Sequence, residues 1–243
     1  MSYGLQLYSV RDLAEKDLAA ALQQTASLGY TAVEFAGFFG HSAREVRAML
    51  DASGLRVSGT HSGLDELEKD FAGTVRYHRT LGNTRYILPG APTATAAELE
   101  ATIDRINRLQ PRLAAEGITL VYHNHAGEFQ PNRDGRIAHE ELEKRTAVAF
   151  EIDTYWAFAA GCDPLALLDR LKDRVPVIHL KDGLRDGTGH PLGDGEAPVA
   201  AVRQKAMSLG MEMVVESETL QPDGMTEAAR CMAYLRTLEL SEK

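Results

Sequence analysis

Long apolar runs are missing from this 243-residue chain. No stretch of about 18 consecutive apolar residues occurs, so no membrane-spanning helix is expected. Cysteine is scarce. Cys162 and Cys231 are the only two, far apart and outside any CxxC spacing, which argues against a disulfide framework and against a thiolate-held structural zinc. Clustered lysine and arginine are also missing, and the net charge is −9, so nucleic-acid backbones and anionic membranes are not expected partners. The first residues, "MSYGLQLYSVRDLAEKD", lack a basic segment followed by an apolar one. No secretory signal is expected, and a cytoplasmic location is. Hydrophobic residues make up 44% and charged residues 25%, ordinary values for a globular chain.

What is present is a repeated alternation of short apolar runs and helical patterns. "YGLQLYSV" (3–10) is a β-prone run, followed by leucine and alanine at helical spacing as far as Gly29. "TAVEFAG" (31–37) precedes "SAREVRAMLDASG" (42–54), where Ser42 and Glu45 form a capping-box pattern and Gly54 is a stop. "RVSGTHS" (56–62) precedes a helix over 64–82, "RYILPG" (85–90) one over 95–117, and "TLVYHNH" (119–125) a long loop and a helix near 138–144. "AVAFEIDT" (147–154), "VPVIHLKD" (175–182) and "EMVVESE" (212–218) precede helical patterns over 163–174, 197–210 and 224–240. Alternating units imply a parallel sheet covered by helices. Eight of them in a chain of this length predict an α/β fold, a single (β/α)8 TIM barrel forming one domain over 1–243. An open nucleotide-binding sheet would carry a glycine-rich first turn, and "YSVRD" has none.

In such a barrel the active site lies at the C-terminal ends of the strands. Those ends carry Gln6 and Tyr8, Glu34, His61, Pro89, His123 and His125, Glu151 and Asp153, His179 and Lys181, and Glu216 and Glu218. Residues two apart share a strand face, so the last four pairs can each point into the mouth together. His41, His78, His139 and His190 fall in loops or helices and are expected at the surface. His123, Asp153, His179 and Glu216 come from four consecutive strands and can converge. Crowded carboxylates repel unless a proton or cation lies between them. A mixed nitrogen and oxygen set suits Mn, Co, Zn or Fe as the divalent ion.

"YGLQLYSVRD", "AVEFAGFFG", "LVYHNHAGEF", "FEIDTYW", "VIHLKD" and "MVVESE" resemble, in order, the sugar phosphate isomerase/epimerase family of xylose-isomerase-like TIM barrels. The resemblance implies one divalent metal held by Glu, Asp, His and Glu from strands five to eight. Asp153, His179 and Glu216 match the last three places. The first holds His123 where many epimerases have a glutamate. Three readings follow: His123 is the ligand, water completes a three-residue set, or Glu128 reaches back. The first is favoured. With only Glu216 left of the two metal-bound glutamates, a symmetric two-glutamate proton transfer does not carry over. The "HNH" form is closer to the inosose dehydratase side of the family.

These expectations amount to an isomerase, epimerase or dehydratase that removes a proton beside a metal-bound carbonyl of a sugar, keto-sugar or polyol. Glu216, His125 and His61 are the candidate bases, and Lys181 the group that steadies an oxyanion or protonates a leaving hydroxyl. Gln6, Glu34, Asn124 and Trp156 are candidates for substrate contact. The loop "DGLRDGTGHPLGDGEAP" (182–198) is glycine-rich. Asp186, Asp194 and Glu196 in it would repel phosphate, which favours an unphosphorylated polyol, or the loop is simply a mobile lid. "AGFFG" (36–40) would wall the pocket or form a partner face, so a homo-oligomer stays among the expectations. A non-catalytic sugar-binding barrel and an endonuclease-IV-like phosphodiesterase are the alternatives. The second needs more metal ligands and a basic track.

Overall fold

The structure, a computed structural model, describes residues 1–242. Among these, eight strands close into a parallel barrel: β1 (Gly4–Gln6), β2 (Ala32–Phe35), β3 (Arg56–His61), β4 (Arg85–Leu88), β5 (Thr119–His123), β6 (Ala149–Asp153), β7 (Val177–Leu180) and, after a small hairpin of β8 (Asp182–Gly183) and β9 (Gly189–His190), β10 (Glu212–Val215). Each barrel strand pairs in parallel with its neighbours in chain order, and β1 closes on β10. This is the (β/α)8 barrel expected from the alternation.

The strands are buried on both faces, as a parallel sheet under helices requires. Leu5, Phe35, Tyr122, Phe150, Ile152 and Leu180 point outward and pack against Leu22, Leu50, Leu99, Ile106 and Leu113 of the helices. The inward face of the same strands carries Gln6, Glu34, His123, Glu151, Asp153 and His179, all buried. One pleat below His123 and His179 on that face are Val121 and Val177, which are fully buried and apolar. The polar groups therefore gather toward the C-terminal ends of these strands, with apolar side chains at the deeper inward positions of β5 and β7.

Local signals set the element ends. Ser42 and Glu45 form the capping box, and Gly54 ends that helix at φ +70°. The first run is shorter than expected: β1 stops at Gln6, whose side chain accepts from the Tyr8 amide (3.0 Å) and turns Leu7–Val10 into a 3-10 helix. The helices expected over 11–28 and 64–82 are each two helices. Asp17 and Asp70 interrupt them, and each side chain caps the second helix.

Two histidines assigned to the surface are buried. His78 packs inside its helix, with Nδ1 accepting from Asn83 Nδ2 (3.0 Å). His139 is stacked between Phe129 and Phe150, at centroid distances of 4.5 and 4.8 Å. Helical position alone did not reveal the inward face of either. The 182–198 loop is pinned by Asp182, whose buried carboxylate accepts from the amides of Gly183, Gly193, Gly195 and Ala197. Asp194 pairs with Arg230, and Asp186 caps the Thr188 amide. Half of the "FF" pair packs against the core: Phe38 is half-buried with its ring tilted against Tyr77 (4.6 Å), and Phe39 is exposed. Among the described residues, no helix is long and apolar enough to cross a membrane.

Candidate active site

Strand register sorts the inward side chains by depth. His123 is level with Glu151 across β5 and β6, whereas Asp153 is level with His179 across β6 and β7. His123 thus stands one pleat below Asp153. Gln6 is level with Glu34, and Glu34 with Gly59. A Cβ at Gly59 would sit 3.1 Å from Glu34 Oε2 and 2.3 Å from Ile87 Cδ1, so a glycine here leaves the Glu34 side chain its place.

The result is two clusters that share one imidazole. In the inner cluster, Glu151 Oε2 is 2.9 Å from His61 Nε2, 3.2 Å from His123 Nδ1 and 3.3 Å from His179 Nε2. Glu34 Oε1 approaches from the other side, 2.7 Å from His179 Nε2 and 3.1 Å from His61 Nε2, and accepts from Gln6 Nε2 at 2.7 Å. In the outer cluster, His179 Nδ1 is 3.3 Å from Glu216 Oε2 and 4.0 Å from Asp153 Oδ2. The Lys181 ammonium joins it, 3.1 Å from Glu216, 3.9 Å from Asp153 and 2.6 Å from Glu218.

Burial and charge act against each other throughout. Burial disfavours a charge on His61, but Glu34 and Glu151 outweigh it and push its pKa up to about 9. The same contest holds His179 well above the ordinary histidine value. Burial, with Glu34 close by, raises Glu151 to about 7, and burial raises Asp153 to about 6. Glu34 and Glu216 move the opposite way: burial opposes their charge, but the cations around them win. His123, buried among imidazoles, is driven well below its ordinary value. His125 is lowered mainly by burial, and Lys181 is raised by its three carboxylates against the cost of burial.

Above the clusters opens a cavity of about 510 Å³, lined in part by Tyr8, His61, His123, His125, Glu216 and Glu218. The sequence candidates divide around it. His125 and Glu216 face it, and Lys181 lies behind Glu216, its ammonium 4.9 Å from the centre of the Trp156 ring. Trp156 therefore packs its ring against the buried lysine, and it is not among the residues that line the cavity. Gln6 and Glu34 are fully buried beneath the cavity and bond to each other. Asn124 is turned from the cavity as well. Its side chain pairs with both backbone groups of Asp153, at 3.1 and 3.2 Å, and ties β5 to β6. Glu128 accepts from the Tyr122 hydroxyl (3.1 Å) and the His125 amide (3.0 Å), so its carboxylate fixes the turn after β5 and does not join either cluster.

Asp153, His179 and Glu216 bring one ligand atom each within 4.8 Å of one another, and His123 groups instead with His61, Glu151 and His179. Asp153 Oδ2 is buried and, among the described residues, has no hydrogen-bond partner. A buried carboxylate oxygen without a donor is costly, and a cation between Asp153, His179 and Glu216 would satisfy it. The mixed donor set fits a divalent transition ion. From the sequence, Glu151 is one pleat deeper than Asp153 on the same inward face and supports it; the structure adds its contacts with His61, His123 and His179, which no spacing within one strand gives.

A family model described as xylose isomerase-like TIM barrel matches residues 22–237. An inosose dehydratase from Geobacillus kaustophilus is 28% identical over 190 residues, which is 68% of this chain. The chain spans 62% of that relative's length. Two crystal structures of sugar phosphate isomerase/epimerases from Parabacteroides distasonis superpose with TM-scores of 0.82 and 0.81, at 24% and 25% identity. Each superposition covers 97% of this chain, and 93% and 97% of the respective structures.

Proposed function

The chain belongs to the xylose isomerase-like TIM barrel family, and from that premise we propose a single-domain, divalent-metal-dependent enzyme that removes the proton beside the carbonyl of an unphosphorylated cyclic polyol ketone or keto-sugar. Its outcome is loss of water, as the inosose dehydratase relative suggests. The observation that carries this reading is the convergence of Asp153, His179 and Glu216 at the mouth, with His125 and Lys181 beside them.

A cation held by Asp153, His179 and Glu216 would supply Lewis acidity toward the substrate's oxygens. The base is His125. Of the three candidates, Glu216 is tied to His179 and Lys181, and His61 is protonated near neutral pH between Glu34 and Glu151. His125, lowered by burial, is a neutral imidazole there and faces the cavity. It takes the proton from the α-carbon. The C–O bond at the adjoining carbon then breaks, and the departing hydroxyl takes a proton back from His125 and leaves as water. Lys181 keeps its charge and steadies negative charge on oxygen during the step. Trp156 packs against the Lys181 ammonium and holds that charge in place beside the site.

The test uses protein stripped of metal and reloaded with manganese, cobalt or zinc, given inososes and keto-hexoses in deuterated water. Deuterium at the α-carbon and loss of water, read by mass spectrometry, are expected. Exchange that continues unchanged in His125→Gln would remove the assigned base. Activity retained in the fully stripped protein would remove the metal.

A further inference from the structure

We infer that the inner cluster is a second cation site: a closed tetrahedral set of His61 Nε2, His123 Nδ1, His179 Nε2 and Glu151 Oε2 that takes a borderline divalent ion such as zinc or cobalt.

Distances support it first. Bonds of about 2.0–2.1 Å to nitrogen and oxygen give a tetrahedron with edges of about 3.3–3.4 Å. The three edges from Glu151 Oε2 measure 2.9, 3.2 and 3.3 Å. All four ligand atoms lie within 4.8 Å of one another. The side chains come from four strands, β3, β5, β6 and β7, so the geometry is set by the barrel and not by one loop.

Unmet hydrogen bonding is the second observation. His123 Nδ1 is buried and lies 3.2 Å from Glu151 Oε2, yet makes no hydrogen bond among the described residues. Glu34 Oε2 and Glu151 Oε1 are buried without partners as well. Of the four ligand atoms, His123 Nδ1 is the one left open, while His61 Nε2 and His179 Nε2 meet carboxylate oxygens that an ion would share or displace.

Charge is the third. Glu34 and Glu151 are fully buried. A divalent ion that displaces the protons of His61 and His179 leaves the charge of this pair of carboxylates balanced, the condition for holding ionised groups in a barrel interior. Glu34, tied by Gln6, then stands behind the ion and balances its second charge.

Four protein ligands make a closed, structural site, whereas three at the outer set leave positions open. His179 offers one ring nitrogen to each. The inner ion would fix the orientation of that imidazole for the outer one. With both ions bound, the ring loses its remaining proton to solvent.

The test is metal content and spectrum in the whole chain loaded with cobalt. Two equivalents are expected, with the intense visible bands of four-coordinate cobalt. His61→Gln and Glu151→Gln should each lose one equivalent and those bands. Asp153→Asn and Glu216→Gln should lose the other equivalent and keep them. Stoichiometry and bands unchanged in His61→Gln and Glu151→Gln overturn the inner site, as does a wild type that shows no intense bands, which needs no variant to fold. A single equivalent lost only in His61→Gln and Glu151→Gln upholds the inner site and overturns the outer one.

Discussion

The Lys181 ammonium lies 3.1 Å from the Glu216 carboxylate, and both side chains are buried at the barrel mouth. Glu216 shares this lysine with Asp153 and Glu218, so three carboxylates crowd around one ammonium. Removing one partner of a buried pair leaves uncompensated charge, which costs about 3–5 kcal/mol. Lys181→Met should therefore lower the stability of the metal-free protein by about that amount in urea denaturation. Saturating divalent metal should recover part of the loss, because a cation can take the ammonium's place. A loss that metal leaves untouched would count against a cation at Asp153 and Glu216.

His125→Gln separates chemistry from binding. The residue faces the cavity and its ligand atoms are in neither cluster. Bound metal should stay at the wild-type level, while α-proton exchange should fall by about 10²–10⁴-fold, the usual worth of a positioned base.

Acid should destabilise the protein through two histidines far from the mouth chemistry. Burial lowers His78 and His139 to about 4. A group depressed on folding adds stability above its unfolded pKa, near 6.5, and that stability is lost as pH falls toward 4. Each contributes at most about 3 kcal/mol. His139→Phe fills the same stack between Phe129 and Phe150 without a titrating ring. The drop in stability between pH 7 and pH 5 should be smaller in this variant than in wild type, and equal drops would refute the assignment.

Asp182→Ala should release the 183–198 loop. Its carboxylate gathers four amides, so the loss should reach about 2–4 kcal/mol, shared between that loop and its neighbours. Hydrogen exchange should rise at Gly193, Gly195 and Ala197 and stay unchanged at Val121 and Val177, deeper in the barrel. A uniform rise would mean that the loop is not separately held.

Strand–helix alternation, the apolar runs and the polar residues at their ends were enough to read the barrel, because each is a local pattern. Capping by Ser42 and Glu45 was legible for the same reason. The breaks at Asp17 and Asp70 were less so: helical spacing continued through them, and only the capping hydrogen bonds mark the interruption. Asn124 and Glu128 looked like site residues, since polar groups beside His123 and His125 fit a mouth. Their side chains instead satisfy the backbone of Asp153 and the turn after β5.

Sequence by itself determined which strands carry ionisable groups on their inward faces, since a strand's side chains alternate with period two. It also determined that Asp153, His179 and Glu216 follow one another on consecutive barrel strands. Depth was decided by tertiary structure alone. The register of β5 on β6 sets His123 beside Glu151 and one pleat below Asp153, and the His179 ring then reaches both layers, one nitrogen to each. Register between strands is a non-local quantity, fixed by how the whole barrel closes. No spacing within "LVYHNHAGEF" encodes it.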